Sequence, residues 1–159
     1  VRLAGGHAPD HATLWSLDDD LVLGGDQLLP SISPNIGVYA TEPEADPLAD
    51  WFEACARLAG PATEAQLVLP GHKLPYRGLP GRLRELAANH ERALDRLLDH
   101  LAEPRVAVDC FPPLFKRTIG PETYTLALVE AVAHLNHLLA RGLATRARRA
   151  DGAWLWRRA

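Results

Sequence analysis

Three short stretches of this chain share one design, in which an apolar run ends at glycine or proline beside a histidine or an aspartate. They cover residues 5–11, 21–26 and 67–72. A buried strand that stops at such a turn leaves the next side chain at the rim of the sheet, where functional groups collect. These rim residues are His7, Asp26 and His72. Two imidazoles and one carboxylate are a ligand set that suits zinc or a similar divalent metal.

The segments between the rim residues alternate between strand and helix patterns. Residues 12–17 and 21–23 are short apolar strands around three aspartates, which predicts a hairpin. Asp46 and Pro47 provide a cap and a first-turn proline for a helix that ends at Gly60. Another apolar strand then leads to His72. This alternation predicts an α/β fold of layered type.

The pattern changes in the last third of the chain. A long amphipathic helix is expected from Leu79 to about Glu103, and Pro104 marks a domain boundary. A second helix begins at Pro121 and ends at Gly142. The strands that follow flank an Asp-Gly turn at residues 151–152, which predicts a hairpin. Helices followed by a basic hairpin are typical of a winged helix.

The motifs Gly-His-x-Pro-x-His at residues 6–11, Gly-Asp at 25–26 and Pro-Gly-His at 70–72 together resemble the second half of a metallo-β-lactamase-fold hydrolase. Residues 31–36 and 41–50 resemble one branch of these hydrolases, whose members often carry a C-terminal winged helix. The resemblance implies the second half of an αββα sandwich followed by a small winged-helix-like α+β domain. The implied division is 1–79 for the partial hydrolase domain, 80–103 for a connecting helix and 104–159 for the winged-helix-like domain.

The main metal motif of that family, His-x-His-x-Asp-His, belongs to the first half of the fold and does not occur in this chain. No two of its seven histidines are separated by a single residue. We therefore expect a C-terminal fragment of a longer hydrolase, with the missing N-terminal half as its partner. A lone half would leave apolar sheet surface uncovered, so self-association into a homo-oligomer is a further expectation.

The resemblance also implies roles for the rim residues. In the intact enzyme two divalent metals, expected to be zinc, would be completed by His7 and His72 and bridged by Asp26. His11 would hold the loop by hydrogen bonding rather than bind metal. A metal-bound hydroxide would attack a small thioester, lactone or related ester-like substrate, while other members of the family cleave β-lactams or RNA. The fragment alone is expected to show little or no hydrolysis.

A second interpretation is a nucleic-acid-binding or RNA-processing protein led by its winged helix. The tail from Arg141 onward carries six arginines and one acid, with two tryptophans between them. Arg146, Arg148 and Arg149 would be the contacts. The interpretation we favour is a solvated hairpin whose tryptophans cover the small core or contact the hydrolase domain, because wings that lack nucleic-acid ligands are common appendages in the branch that this chain resembles. The net charge of -3 gives no general attraction to nucleic acid or anionic membranes. A third interpretation is a non-catalytic interaction module with a decayed site.

The two cysteines, Cys55 and Cys110, lie inside apolar segments. Buried free thiols of a reducing compartment are therefore expected, which indicates a cytoplasmic protein. No apolar run approaches the ~20 residues that a membrane span needs, so no membrane association is expected.

Overall fold

The computed structural model describes the whole chain, residues 1–159. Its contacts divide it into two compact units. The first unit comprises residues 1–36 and 49–89, and the second comprises 37–48 and 90–159. The helix α2, Leu79–His100, runs from the first unit into the second. None of the helices combines the length and apolar character that crossing a bilayer requires.

A four-stranded sheet forms the centre of the first unit. Its strands are β1 (Arg2–Ala4), β2 (His11–Trp15), β3 (Leu21–Gly25) and β4 (Leu67–Pro70), in that spatial order. The first three strands are antiparallel, as the predicted hairpin requires, and β4 runs parallel to β3. Parallel neighbours need a crossover connection, and the helix α1, Pro47–Ala59, lies within it.

The helix α1 carries its large apolar residues at a spacing of three and four, as expected for one buried stripe. Trp51, Cys55 and Leu58 on this stripe are all buried. Gly6 lies so close that a Cβ placed on it would come within 2.6 Å of the Cβ of Trp51. Gly6 also has a φ of 101°, so a glycine is needed at this position for both reasons.

The two faces of the sheet differ in exposure. Thr13, Val22 and Val68 are fully buried on one face. On the other face, Leu14 and Leu23 are direct cross-strand partners that are 45% and 41% exposed. Leu3 in β1 is exposed as well. The sheet therefore presents apolar side chains to solvent, as a sheet that lacks a facing layer would.

The second unit contains helices followed by an antiparallel hairpin. Its elements are the second part of α2, a 3₁₀ helix (Ala107–Cys110), α3 (Phe111–Leu114), a second 3₁₀ helix (Pro121–Thr123), α4 (Tyr124–Ala140), β5 (Ala144–Arg148) and β6 (Trp154–Arg158). Arg105 forms an isolated antiparallel β-bridge with Trp156, beside the hairpin. The order of elements follows the prediction, while the winged-helix assignment itself stays a prediction.

Residues 37–48 lie in the second unit because their backbone is bound to α4. The Nδ2 of Asn136 donates to the carbonyl oxygens of Pro43 and Ala45, each at 2.9 Å. Near the start of the segment, the backbone N–H of Val38 donates to the carbonyl of Val129 at 3.2 Å. A loop that satisfies its polar groups on a helix packs with that helix. The division into residues 1–79, 80–103 and 104–159 stays a prediction.

Candidate metal centre

His7 follows the turn at Gly6 just after β1, and its ring orientation is set by the backbone of a distant residue. Its Nδ1 lies 2.9 Å from the carbonyl oxygen of Asn35. Since a carbonyl can only accept a hydrogen bond, Nδ1 donates and the lone pair of the neutral ring is on Nε2. This arrangement is the one that histidine ligands of metals adopt, with the second ring nitrogen held by a backbone or carboxylate oxygen.

Asp26 follows β3 at Gly25 and lies between the two rim histidines. Its Oδ2 is 3.6 Å from Nε2 of His7, and its Oδ1 is 3.6 Å from Nε2 of His72. Both distances exceed those of good hydrogen bonds. Because zinc–ligand bonds are about 2.0–2.2 Å long, an ion can contact both atoms of either pair.

His72 lies in the short turn after β4. The backbone N–H of Gly71 donates to the carbonyl of Gly25 at 2.8 Å, which joins the turns after β3 and β4. A Cβ placed on Gly71 would lie 2.2 Å from Oδ1 of Asp26. Gly71 is therefore needed for the carboxylate to occupy its position. The sequence analysis did not single out this glycine, although the Pro-Gly-His motif contains it.

The structure thus brings together the three rim residues that the sequence predicted, His7, Asp26 and His72. Each imidazole faces a different oxygen of the same carboxylate, which suits two ions bridged by Asp26 better than one ion shared by all three. His7 and Asp26 are partly buried, whereas the side chain of His72 is 65% exposed. Their role as metal ligands stays a prediction.

His11 lies beside this site at the start of β2, with its ring centroid 6.0 Å from that of His7. A Cβ placed on Gly25 would come within 2.5 Å of Cε1 of His11, so the imidazole packs directly against the turn that carries Asp26. Its Nδ1 is buried without a hydrogen-bond partner. The hydrogen bond expected from the sequence is therefore not made by this atom, and close packing against Gly25 is what His11 contributes.

The loop after Asp26 is held by Arg82, which the sequence analysis did not single out. This guanidinium is buried and donates to the carbonyl oxygens of Leu29 at 2.7 Å and Ile32 at 2.9 Å. A third hydrogen bond, of 2.6 Å, goes to the carboxylate of Glu85. The same loop carries Asn35, whose carbonyl orients His7. Arg82 therefore supports the rim through the loop backbone rather than by contact with the site.

The second unit contains another group of residues of the kinds that can bind a metal ion. Ligand atoms of His90, Glu130 and His134 all lie within 4.8 Å of one another. Nδ1 of His90 is 3.2 Å from Nε2 of His134. From the sequence, His90 lies on the apolar stripe of its helix, where a core or interface position was favoured over an approach to the rim site.

The three arginines proposed as nucleic-acid contacts interact with neighbouring side chains. Arg146 pairs with Glu44, and its guanidinium lies 4.4 Å from the centroid of the Trp154 ring. The guanidinium of Arg148 lies 5.0 Å from the same centroid. Arg149 forms a bidentate ion pair with Asp151. The hydrogen bonding from Arg149, above all, lowers the pKa of Asp151 to about 2. These charges are thus partly neutralised or stacked within the unit.

Comparisons with known proteins bear on the fold of the chain. Residues 94–159 match the family model described as the metallo-beta-lactamase-like C-terminal domain. A beta-lactamase domain protein from Burkholderia ambifaria is 37% identical over 99% of this chain, with a TM-score of 0.93. A metallo-beta-lactamase family protein from Thermus thermophilus is 31% identical over 99% of it, with a TM-score of 0.83. No protein of curated function matches the chain in sequence.

The chain spans about half the length of these solved structures, namely 46% of the Burkholderia protein and 48% of the Thermus protein. The matches support a hydrolase-family fold and do not favour the nucleic-acid interpretation.

Proposed function

We propose that this chain, which belongs to the metallo-beta-lactamase family, supplies one side of the active site of a metal-dependent hydrolase. The premise is that it carries the C-terminal half of the family's fold. The observation that supports this most directly is the position of Asp26. Its two carboxylate oxygens face the Nε2 atoms of two different histidines at equal distances of 3.6 Å. A carboxylate can bridge two ions in this way because each oxygen takes one ion.

The residues have distinct tasks in this proposal. His7 is held through Nδ1 by the carbonyl of Asn35, so its Nε2 lone pair is already oriented for an ion. His72 is more exposed and would hold the other ion. Divalent metals bound at such sites lower the pKa of water and polarise the bond to be cleaved. The substrate class we propose is a small ester-like molecule, such as a thioester or a lactone, and the metal we propose is zinc.

The partner we propose is a polypeptide layer that covers the exposed face of the sheet. Leu3, Leu14 and Leu23 present apolar surface there, and covering it is favourable by about 25 cal/mol per Å². The missing half of a two-sheet fold would supply this layer and the remaining metal ligands. Without such a half, a second copy of this chain is the occupant expected on the same face.

Metal binding by the 159-residue chain tests the role of Asp26. Calorimetric titration with Zn²⁺ is expected to show weaker binding for Asp26→Asn than for the unchanged chain. The matched control is Asp18→Asn, which alters an exposed carboxylate in the turn between β2 and β3. Equal affinity of the Asp26→Asn and Asp18→Asn variants would contradict the proposal.

A second test of the proposal measures substrate hydrolysis. We expect little or no cleavage of thioester or lactone substrates by the zinc-loaded chain alone, because most ligands of the family site are not among its residues. Full activity of this polypeptide without a partner would show that three ligands suffice, which the proposal excludes.

A further inference from the structure

A pair of buried histidines joins α2 and α4 in the second unit. His90 and His134 are 4% and 1% exposed, and their rings are separated by 5.3 Å between centroids. Glu130 lies one helical turn before His134, so the two side chains are on the same face of α4. Buried polar side chains are informative about function, and α4 also buries Asn136 and His137.

The hydrogen bonds define which nitrogens carry protons. Nδ1 of His134 lies 2.8 Å from the backbone carbonyl of Glu130 and must donate to it. Its Nε2 therefore has the lone pair, and Nδ1 of His90 donates to it across 3.2 Å. Burial, above all, lowers the pKa of His90 to about 3 and that of His134 to about 4. Both rings are neutral at pH 7, which is the form that binds metal.

The spacing of the two nitrogens also fits a shared ion. Zinc–nitrogen bonds of about 2.0–2.1 Å at the tetrahedral angle place two ligand nitrogens about 3.3 Å apart. The observed 3.2 Å separation thus needs almost no adjustment. A carboxylate oxygen of Glu130 lies within 4.8 Å of one ring nitrogen of each histidine. Glu130 is only half-buried, so a solvent molecule can reach the fourth position from its side.

We propose that His90, Glu130 and His134 form a second metal site, which takes a zinc-type divalent transition metal and ties α2 to α4. Two imidazoles favour Zn²⁺, Co²⁺ or Ni²⁺ over Mg²⁺ or Ca²⁺, which prefer oxygen ligands. On binding, the proton of His90 moves from Nδ1 to Nε2, so no proton is released. His137 and, after it, Arg96 both act against positive charge at His134, so we expect weaker binding than at a four-ligand structural zinc site.

Cobalt binding tests this site independently of the proposed hydrolase centre. The starting protein is the full chain with His7→Ala, Asp26→Asn and His72→Ala, which removes the rim ligands. We expect titration with Co²⁺ to saturate at one equivalent and to give the visible absorption of a tetrahedral ion. Adding Glu130→Gln should weaken this binding markedly, whereas Glu122→Gln, which alters an exposed glutamate just before α4, should leave it unchanged.

A nuclear magnetic resonance measurement keeps the test decisive even if Glu130→Gln disturbs folding. In the rim variant, Zn²⁺ should shift the ring ¹⁵N resonances of His90 and His134. A folded rim variant that shows neither the cobalt absorption nor these ¹⁵N shifts would overturn the proposal. So would cobalt binding that Glu130→Gln and Glu122→Gln leave equally strong. Since the rim ligands are absent throughout, none of these outcomes bears on Asp26.

Discussion

The carboxylate of Asp26 occupies the space that a side chain at residue 71 would need. A Cβ placed on Gly71 would lie 2.2 Å from Oδ1 of Asp26, and the backbone N–H of Gly71 is bound to the carbonyl of Gly25. The turn after β4 therefore cannot move away from Asp26 without breaking this hydrogen bond. Because residue 71 is a glycine and has no side chain, Oδ1 of Asp26 can face His72.

Gly71→Ala is expected to displace the Asp26 carboxylate and weaken zinc binding at the rim by about 10–100-fold, the usual cost of disturbing residues that support a metal ligand. Calorimetric titration with Zn²⁺ measures this in chains that also carry Glu130→Gln, so that the second proposed metal site contributes little. The control is Gly60→Ala, whose added Cβ would meet only the carbonyl of Arg57 at 3.6 Å. Unchanged affinity of Gly71→Ala would show that Asp26 does not bind the ion.

Arg82→Met is expected to lower the free energy of unfolding by about 1.5–3 kcal/mol, because the carbonyls of Leu29 and Ile32 lose a charged donor. Urea denaturation measures this change. Arg84→Met is the matched control, since Arg84 is exposed on the same helix. If both variants lose equal stability, the loop contacts of Arg82 do not contribute to the fold.

The exposed leucines of the sheet predict association. The unchanged chain should sediment as a dimer or larger species, and the double variant Leu14→Glu with Leu23→Glu should shift toward monomer. These residues are direct cross-strand partners, so two adjacent charges on this face oppose its burial. Leu17→Glu alters a 97% exposed side chain in the neighbouring turn and should have no effect. A monodisperse monomer of the unchanged chain in ultracentrifugation would contradict the expectation.

Cys55 and Cys110 are predicted to be unreactive in the folded protein. Burial, above all, raises the pKa of each thiol to about 12, so the reactive thiolate is nearly absent at pH 8. A thiol reagent at pH 8 should therefore modify neither residue until denaturant is added, and then both. Rapid modification of one cysteine under native conditions would reveal local opening near that residue.

The hairpin arginines are predicted not to bind nucleic acid strongly. Arg146 is paired with Glu44 and Arg149 with Asp151, so much of their charge is already neutralised. A gel-shift titration with duplex DNA or RNA at low salt should show no shift that depends on these residues. A salt-sensitive shift that disappears when Arg146, Arg148 and Arg149 are changed to glutamine would support the winged-helix interpretation instead.

Much of the fold could be predicted because its signals are local. The acidic turn between β2 and β3, the Asp-Gly turn between β5 and β6, and the stripe of α1 each depend on residues a few positions apart. The convergence of His7, Asp26 and His72 was also predictable. Strands that end in a common sheet place the residues after them at neighbouring positions of its rim.

The tertiary structure alone decided how those side chains are oriented and supported. Asn35 orients His7 across 28 residues of chain, and Arg82 reaches the carbonyl of Leu29 across 53. His90 meets His134 across 44 residues, although the pattern of its helix favoured a core or interface position. The sequence determined which residues reach the rim, because turns and periodicity are properties of short segments. Side-chain direction and pairing depend on which distant segments pack together, and that is settled only when the chain folds.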